Sequence, residues 1–184
     1  MDYQLSLNVR CALDLLEICP AYTQTPIVEI SPLNNIRLLI KDETNRMGLG
    51  SFKALGGIYA VAKFLLEQWE KENGSQLSVG RLTDPEIRSW SNKFTFVCAS
   101  AGNAAQGMAF MCAHFDVQGT IFMPVTTPQQ QIQKTQMFGG EQVEVRLIGD
   151  YFDECLAAAQ AYCANQGAYF LSPFDAEDAI EGQA

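Results

Sequence analysis

Two rhythms of apolar residues divide this chain. Leu5, Val9, Leu13 and Leu16 recur at helical spacing until Pro20 interrupts them, which predicts an amphipathic helix over residues 5–18. Tyr22-Thr23-Gln24-Thr25-Pro26 reads as a turn. Ile27-Val28-Glu29-Ile30 and Ile36-Arg37-Leu38-Leu39-Ile40, split by Ser31-Pro32-Leu33-Asn34-Asn35, read as two short strands. A polar, glycine-broken loop over 41–50 then enters a long helix, expected over about 52–71. On it Leu55, Ile58, Ala62, Leu65 and Trp69 recur at spacings of three and four. Residues 73–93 are polar and broken at Asn73-Gly74-Ser75; they are expected to be a solvent-facing insertion with a short helix after Thr83-Asp84-Pro85.

From Phe94 onward the pattern becomes regular. Strand-like runs at 94–98, 119–123, 143–147 and 168–171 are separated by helical runs at 103–115, 128–138 and 151–165, with Gly139-Gly140 as a helix stop. Strands separated by helices of about a dozen residues predict an α/β fold with an open parallel sheet and right-handed crossovers. Such sheets place their ligands beyond the carboxyl ends of the strands.

Composition narrows the function classes. With 184 residues, 48% of them apolar, the chain can bury a core and is not a disordered protein. A net charge of −9 argues against nucleic acid and anionic membrane as partners. The first residues lack a basic segment and an apolar h-region, and no apolar run is long enough to span a bilayer, so a cytoplasmic location is expected. Cys11, Cys19, Cys98, Cys112, Cys155 and Cys163 are scattered without a Cys-x-x-Cys pair and read as reduced, mostly buried thiols. His114 is the single histidine, so no Cys/His zinc cluster is expected. Near a helix end it reads as a cap or surface residue. Asp42-Glu43 and the pair Asp175 and Asp178 read as solvated loop charges, and Gln129-Gln130-Gln131 as an exposed helix start.

Two stretches carry candidate chemistry. In Gly50-Ser51-Phe52-Lys53-Ala54-Leu55-Gly56-Gly57, Ser51 is a reasonable N-cap and Lys53 falls in the first helical turn beside Phe52. The positive helix end and apolar neighbours would both favour the neutral amine, the form that attacks carbonyls. The alternative is a solvated surface lysine. In Cys98-Ala99-Ser100-Ala101-Gly102-Asn103 a strand ends and a helix begins. Ser100 and Asn103 are cap formers, and Ala101 and Gly102 allow close approach to the backbone. Free N–H groups at a helix start suit a carboxylate. A capped turn without a ligand is the alternative.

Lys41-Asp42-Glu43, Gly50-Ser51-Phe52-Lys53 with Gly56-Gly57, and later Ala99-Ser100-Ala101-Gly102-Asn103-Ala104-Ala105-Gln106-Gly107, resemble the pyridoxal-phosphate enzymes of the tryptophan synthase β fold, fold type II. That family includes threonine and serine dehydratases, diaminopropionate ammonia-lyase, threonine synthase and cysteine synthase. The resemblance runs from about Thr25 to Ala184. It implies pyridoxal 5'-phosphate as cofactor, Lys53 as the amine that holds its aldehyde and then removes the substrate Cα proton, and Phe52 beside the pyridine ring. Asn103 would bond the cofactor's phenolic oxygen, and Ser100, Ala101, Gly102 and Asn103 would hold the substrate carboxylate. The implied activity is α,β-elimination from a small hydroxy-amino acid such as threonine or serine, giving a 2-oxo acid and ammonia. Alternatives are a diaminopropionate ammonia-lyase, a β-replacement enzyme of the cysteine synthase type, and a truncated non-catalytic homologue acting as a binding domain.

Several positions depart from the family pattern. Position 104 is Ala where dehydratase-like members often have His, and Ala101 stands where a diaminopropionate-type lyase has an aspartate. The family's run of consecutive glycines for the cofactor phosphate is absent, so the chain is expected to be the front portion of a longer enzyme. Residues 1–52 would then open the large lobe, 53–166 form a small α/β lobe with the cofactor lysine and carboxylate loop, and 167–184 return to the large lobe. The resemblance further implies a homodimer when complete, with a small amino-acid substrate and no nucleic acid, membrane or metal as partner.

Overall fold

The computed structural model describes residues 9–17, 19, 21–33, 36–172, 178, 180 and 182. Helix α1 (Val9–Glu17) leads to an antiparallel hairpin of β1 (Ile27–Leu33) and β2 (Ile36–Lys41). A 3-10 turn (Arg46–Gly48) precedes the long helix α2 (Lys53–Asn73), and a second (Val79–Arg81) precedes α3 (Pro85–Ser91). Then come β3 (Thr95–Ala99), α4 (Asn103–Phe115), β4 (Gln118–Met123), α5 (Gln129–Gly139), β5 (Val143–Leu147), α6 (Phe152–Gln166) and β6 (Tyr169–Phe170). These four strands form the expected open parallel sheet, in the order β5-β4-β3-β6.

The pleat of β3 sorts the two cores. Phe96 and Cys98 face the larger one, with α1, α2, α4 and α5, while Val97 and Ala99 face Cys155 and Ala159 of α6. The chain therefore builds β3, β4 and β5 outward in one direction with helices on one face. It then crosses the other face through α6 to lay β6 on the opposite side of β3. That reversal makes the carboxyl end of β3 the topological switch point, where open α/β sheets bind ligands.

Two expectations need correction. The buried stripe of α1 is Ala12, Leu15 and Leu16, followed by Cys19, and Leu13 is exposed. Residues 5–8 and 18 of the predicted helix lie outside the described residues. The 73–93 stretch is not merely a solvent-facing insertion. Leu82, Ile87 and Ser91 are 1%, 0% and 0% exposed, and the Ser91 hydroxyl donates to the Phe115 carbonyl at 2.6 Å. Trp90 stacks edge-on against Trp69 and Phe94 at 5.2 and 5.1 Å, so this segment closes one end of the α2/α4 core. Its polar composition hid a few deeply buried positions.

The β1–β2 hairpin shows the reverse. Pairing of Val28 with Ile40 and of Ile30 with Leu38 puts four apolar side chains on one face, all 41–49% exposed. The opposite face carries Glu29, which accepts from Arg37 Nε and Nη2 at 2.8 and 3.0 Å. Cys19, Cys98, Cys112 and Cys155 are buried free thiols and Cys163 is half-buried; the side chain of Cys11 lies outside the described residues. No helix among the described residues is long and apolar enough to cross a membrane.

Candidate active site

Helix α2 opens at Lys53, and Phe52 just before it already has helical dihedrals (φ −61°, ψ −20°). Ser51 supplies the capping hydroxyl. This buried hydroxyl accepts from the Lys53 N–H, at 3.3 Å, so it satisfies one of the orphan donors of the first turn. Lys53 is half-buried and the first turn contains no acid. Phe52 is 48% exposed, so it is not a core residue.

The second turn lies at the end of β3. Ser100 N–H donates to the Phe122 carbonyl at 3.1 Å, extending the β3–β4 ladder past the last strand residue. Gly102 N–H donates to Ser100 Oγ at 3.4 Å, and Gly102 itself, rather than Ser100 or Asn103, is the cap of α4. Asn103 is the first helical residue and is exposed; Ser100, Ala101 and Gly102 are half-buried. A Cβ added at Gly102 would meet nothing within 4 Å, so there is open space in front of the turn. The first-turn N–H groups of α4 have no intrahelical acceptors, and no acidic side chain lies among them.

One contact joins the two turns. Gly107, one helical turn beyond Asn103, packs directly on the start of α2. A Cβ there would lie 3.2 Å from Ala54 Cα and 3.5 Å from the Lys53 carbonyl oxygen. Only a residue without a side chain lets the helices cross this closely. The crossing brings Lys53 and the Ser100–Asn103 turn to the same end of the sheet, at the switch point.

Two polar clusters border these turns and were not singled out from the sequence. Glu43 is not a solvated loop charge: its carboxylate accepts from Arg46 Nε and Nη2 at 2.6 and 2.9 Å, and Arg46 is 4% exposed. The Arg46 hydrogen bonds, followed by the Thr25 hydroxyl, hold the Glu43 carboxyl below its usual range. The sequence signal was the three-residue spacing of Glu43 and Arg46 just before the apolar Met47. Asp42 does remain outside, accepting from the Thr44 N–H and hydroxyl. On α4, buried Gln106 donates through Nε2 to Gln131 Oε1 of α5 at 2.6 Å, so the glutamine run is exposed only at Gln129 and Gln130. A glutamine set between Ala105 and Gly107, three residues past Asn103, was the clue.

Other candidates fall away from this place. His114 stacks on Phe110 and touches Phe115, and burial lowers its pKa; it is a packing residue, not a surface cap. Together with Leu15, Cys19, Ile58, Leu82 and Phe115 it lines a cavity of about 30 Å³, room for about one water. Burial pushes the Cys98 thiol up to about 12, which leaves it protonated and unreactive just before the turn. Asp178 is no loose loop charge but pairs with Lys63 of α2 at 2.6 Å, whereas Asp175 lies outside the described residues.

Comparison with known proteins agrees with this geometry. The model of the family described as "Pyridoxal-phosphate dependent enzyme" matches residues 18–184. The chain is 48% identical over 187 residues to the biosynthetic L-threonine dehydratase of Staphylococcus epidermidis, covering 96% of this chain and 39% of that protein. Against the biosynthetic L-threonine dehydratase of Lactococcus lactis it is 38% identical over 179 residues, covering 96% and 37%. Among solved structures, diaminopropionate ammonia-lyase from Escherichia coli superposes with a TM-score of 0.81 at 21% identity, over 95% of this chain and 46% of that one. The processed threonine deaminase isoform 2 of Solanum lycopersicum superposes with a TM-score of 0.67 at 27% identity, over 96% and 43%. The chain thus spans well under half the length of the relatives it matches. The chain belongs to the pyridoxal-phosphate-dependent enzyme family.

Proposed function

We propose that this chain is part of a pyridoxal-phosphate-dependent lyase that removes the amino group of a small hydroxy-amino acid, threonine or serine, by α,β-elimination. The Gly107 crossing carries the reading, because it sets the turn bearing Lys53 against the helix that starts at the carboxylate turn. The residues present fit the cofactor in part. They offer an amine, a primary amide and unpartnered helix N–H groups before open space at Gly102, matching an aldehyde, a phenolic oxygen and a carboxylate. The phosphate would need a nest of backbone N–H groups, and the sequence has no run of more than two consecutive glycines to form one. When bound, the cofactor supplies the sink for the electrons of the substrate's Cα–H bond.

The remaining roles fall to the chain's own atoms. Lys53 Nζ would hold the cofactor's aldehyde carbon and, as a free amine, would accept the Cα proton. Backbone N–H groups at Ser100, Ala101 and Gly102, with Asn103, would grip the substrate carboxylate, and the Asn103 amide would donate to the cofactor's phenolic oxygen. Phe52, which is exposed, would lie beside the pyridine ring and exclude water from it. Residues 53–166 serve as the small lobe, while 1–52 and 167–184 belong to a larger one. The apolar hairpin face of β1 and β2 supports that division, since such a face is ordinarily covered.

Dehydratase chemistry is favoured over diaminopropionate ammonia-lyase by Ala101, which cannot serve as a second base, and by the nature of the relatives at 38% and 48% identity. The test supplies pyridoxal phosphate with L-threonine, L-serine or 2,3-diaminopropionate and measures 2-oxo acid and ammonia, with and without an added thiol. Production of 2-oxobutanoate that disappears in Lys53→Ala supports the reading. Turnover of diaminopropionate alone, thioether product in place of 2-oxo acid, or activity that survives Lys53→Ala would overturn it.

A further inference from the structure

The loop that delivers Lys53 has an unusual backbone. Met47 sits at φ 50°, ψ 25°, a left-handed conformation that a residue with a long side chain avoids, and Gly48 and Gly50 follow at φ 70° and 72°. Such a conformation persists only where its surroundings over-determine it. Met47 and Leu49 are buried in the core on either side of Gly48. What fixes the loop from the other side is Arg46.

Four of the five guanidinium N–H groups of Arg46 are used. Nε and Nη2 donate to the two carboxylate oxygens of Glu43, Nη1 donates to the Thr23 carbonyl at 2.8 Å, and Nη2 also donates to Thr25 Oγ1 at 2.8 Å. The guanidinium lies 5.3 Å from the Tyr22 ring centroid, and the Thr25 hydroxyl donates onward to Glu43. Its main chain is as engaged as its side chain. The Arg46 carbonyl accepts from Leu49 N–H at 2.8 Å and Gly50 N–H at 3.3 Å. Three residues later Lys53 N–H closes on Ser51 Oγ. The fork on the 22–25 segment thus reaches Gly50 through the Arg46 carbonyl, and the peptide bond from Gly50 to Ser51 joins it to the first turn of α2.

We infer that Arg46 is a positioning residue for Lys53: clasped by Glu43 and the 22–25 segment, it holds the left-handed Met47–Gly50 run that sets where helix α2 begins and so where the Lys53 amine stands. This rests on the reading of Lys53 as the cofactor amine. A buried ion pair contributes little net stability compared with apolar residues of equal volume, so a merely stabilising role would be poorly served by this one. A fixed geometry is what the planar fork supplies and what lysine, with a single point charge, does not.

The test compares the unaltered chain with Arg46→Met, Arg46→Lys, Glu43→Gln and Lys53→Ala, each below its melting temperature. Pyridoxal phosphate is trapped with borohydride, and peptide mapping gives the label on Lys53 relative to the other five lysines, an internal standard within each molecule. Because small displacements of a reacting group cost up to about a hundredfold in rate, Arg46→Met should lower the Lys53 share by about ten- to a hundredfold. The labelling of Lys71 and Lys134 should not change, and Arg46→Lys should recover only part of the loss. Amide hydrogen exchange without cofactor should rise in residues 47–53 of Arg46→Met and stay unchanged in β3 and β4. A folded Arg46→Met with wild-type Lys53 share and wild-type exchange at 47–53 overturns the inference. Should Arg46→Met not fold, Glu43→Gln, which keeps the shape and loses the charge, decides by the same two readouts. If Lys53 is not preferred in the unaltered chain, the functional reading fails, and hydrogen exchange still decides the role of Arg46.

Discussion

Substituting Gly107 by Ala inserts one methyl group at the place where α4 crosses the start of α2. That carbon would lie 3.2 Å from Ala54 Cα, 3.5 Å from the Lys53 carbonyl oxygen and 3.6 Å from Ala54 N. Carbon atoms prefer about 3.5–4.0 Å, so the helices must separate by about half an ångström, against backbone that has no rotamer to give. Overpacking of this kind costs about 1–3 kcal/mol. Alanine in a helix interior returns about 1 kcal/mol over glycine. The balance is a loss of about 1 kcal/mol, or about 2–4 °C in melting temperature for a chain of this size. Gly57→Ala provides the control, because it lies inside α2 and its added Cβ would meet nothing within 4 Å. There only the helix preference acts, and the melting temperature should rise by about 2–4 °C. Thermal unfolding followed by circular dichroism reads both. In the same Gly107→Ala sample the trapped cofactor on Lys53 should fall, because the strain is released by moving the turn that carries it. If Gly107→Ala stabilises the chain as much as Gly57→Ala, the crossing is looser than described and the argument that joins the two turns collapses.

Other consequences are open to simpler measurements. Arg46 holds the Glu43 carboxyl low, so the pair stabilises the fold above the ordinary glutamate value of about 4.3, and that contribution is lost as pH falls through the folded value. Arg46→Met should flatten the acid limb of a stability–pH curve, and an unaltered limb would refute the pairing. Burial lowers the His114 pKa, so the unfolded chain takes up its proton first and stability falls as pH drops below about 6.5. His114→Gln should remove that earlier decline, as read by urea midpoints between pH 7 and 5. In the native chain at pH 8, iodoacetamide should label the half-buried Cys163 and spare Cys98 and Cys112, whose thiols burial keeps protonated. Labelling of Cys98 at the rate seen in urea would contradict its burial. Ile87→Ala, at 0% exposure, should cost about 2–5 kcal/mol. Leu38→Thr on the exposed hairpin face should cost no more than about 0.5 kcal/mol. Equal losses in the two would show that the hairpin face is covered.

What the sequence revealed and what it hid follow from the range over which each interaction acts. The β3-to-β6 sheet was legible because strand and helix periods are local, and each element there buries a face that its own pattern announces. Ser51 and Ser100 were legible as turn residues for the same reason. Each hydroxyl accepts from an N–H two residues along, although the cap of α4 is Gly102 rather than Ser100. The environment of Phe52 was not legible, because whether an apolar ring is covered depends on what packs there, and its neighbours along the chain do not say. Residues 73–93 misled for a related reason: Leu82, Ile87 and Trp90 are few among polar residues, yet each fills a gap between α2 and α4. Arg46 was hidden most completely. Its partners lie at Tyr22, Thr23 and Thr25, more than twenty residues away, and a charge in a polar loop carries no mark of burial. The elements that build the lobe are therefore written in short-range pattern, while the contacts that place the lysine within it, Gly107 on Ala54 and Arg46 on Thr23 and Thr25, are long-range. A chain with the same periodicity but without those two contacts would make the same sheet and leave its amine in the wrong place.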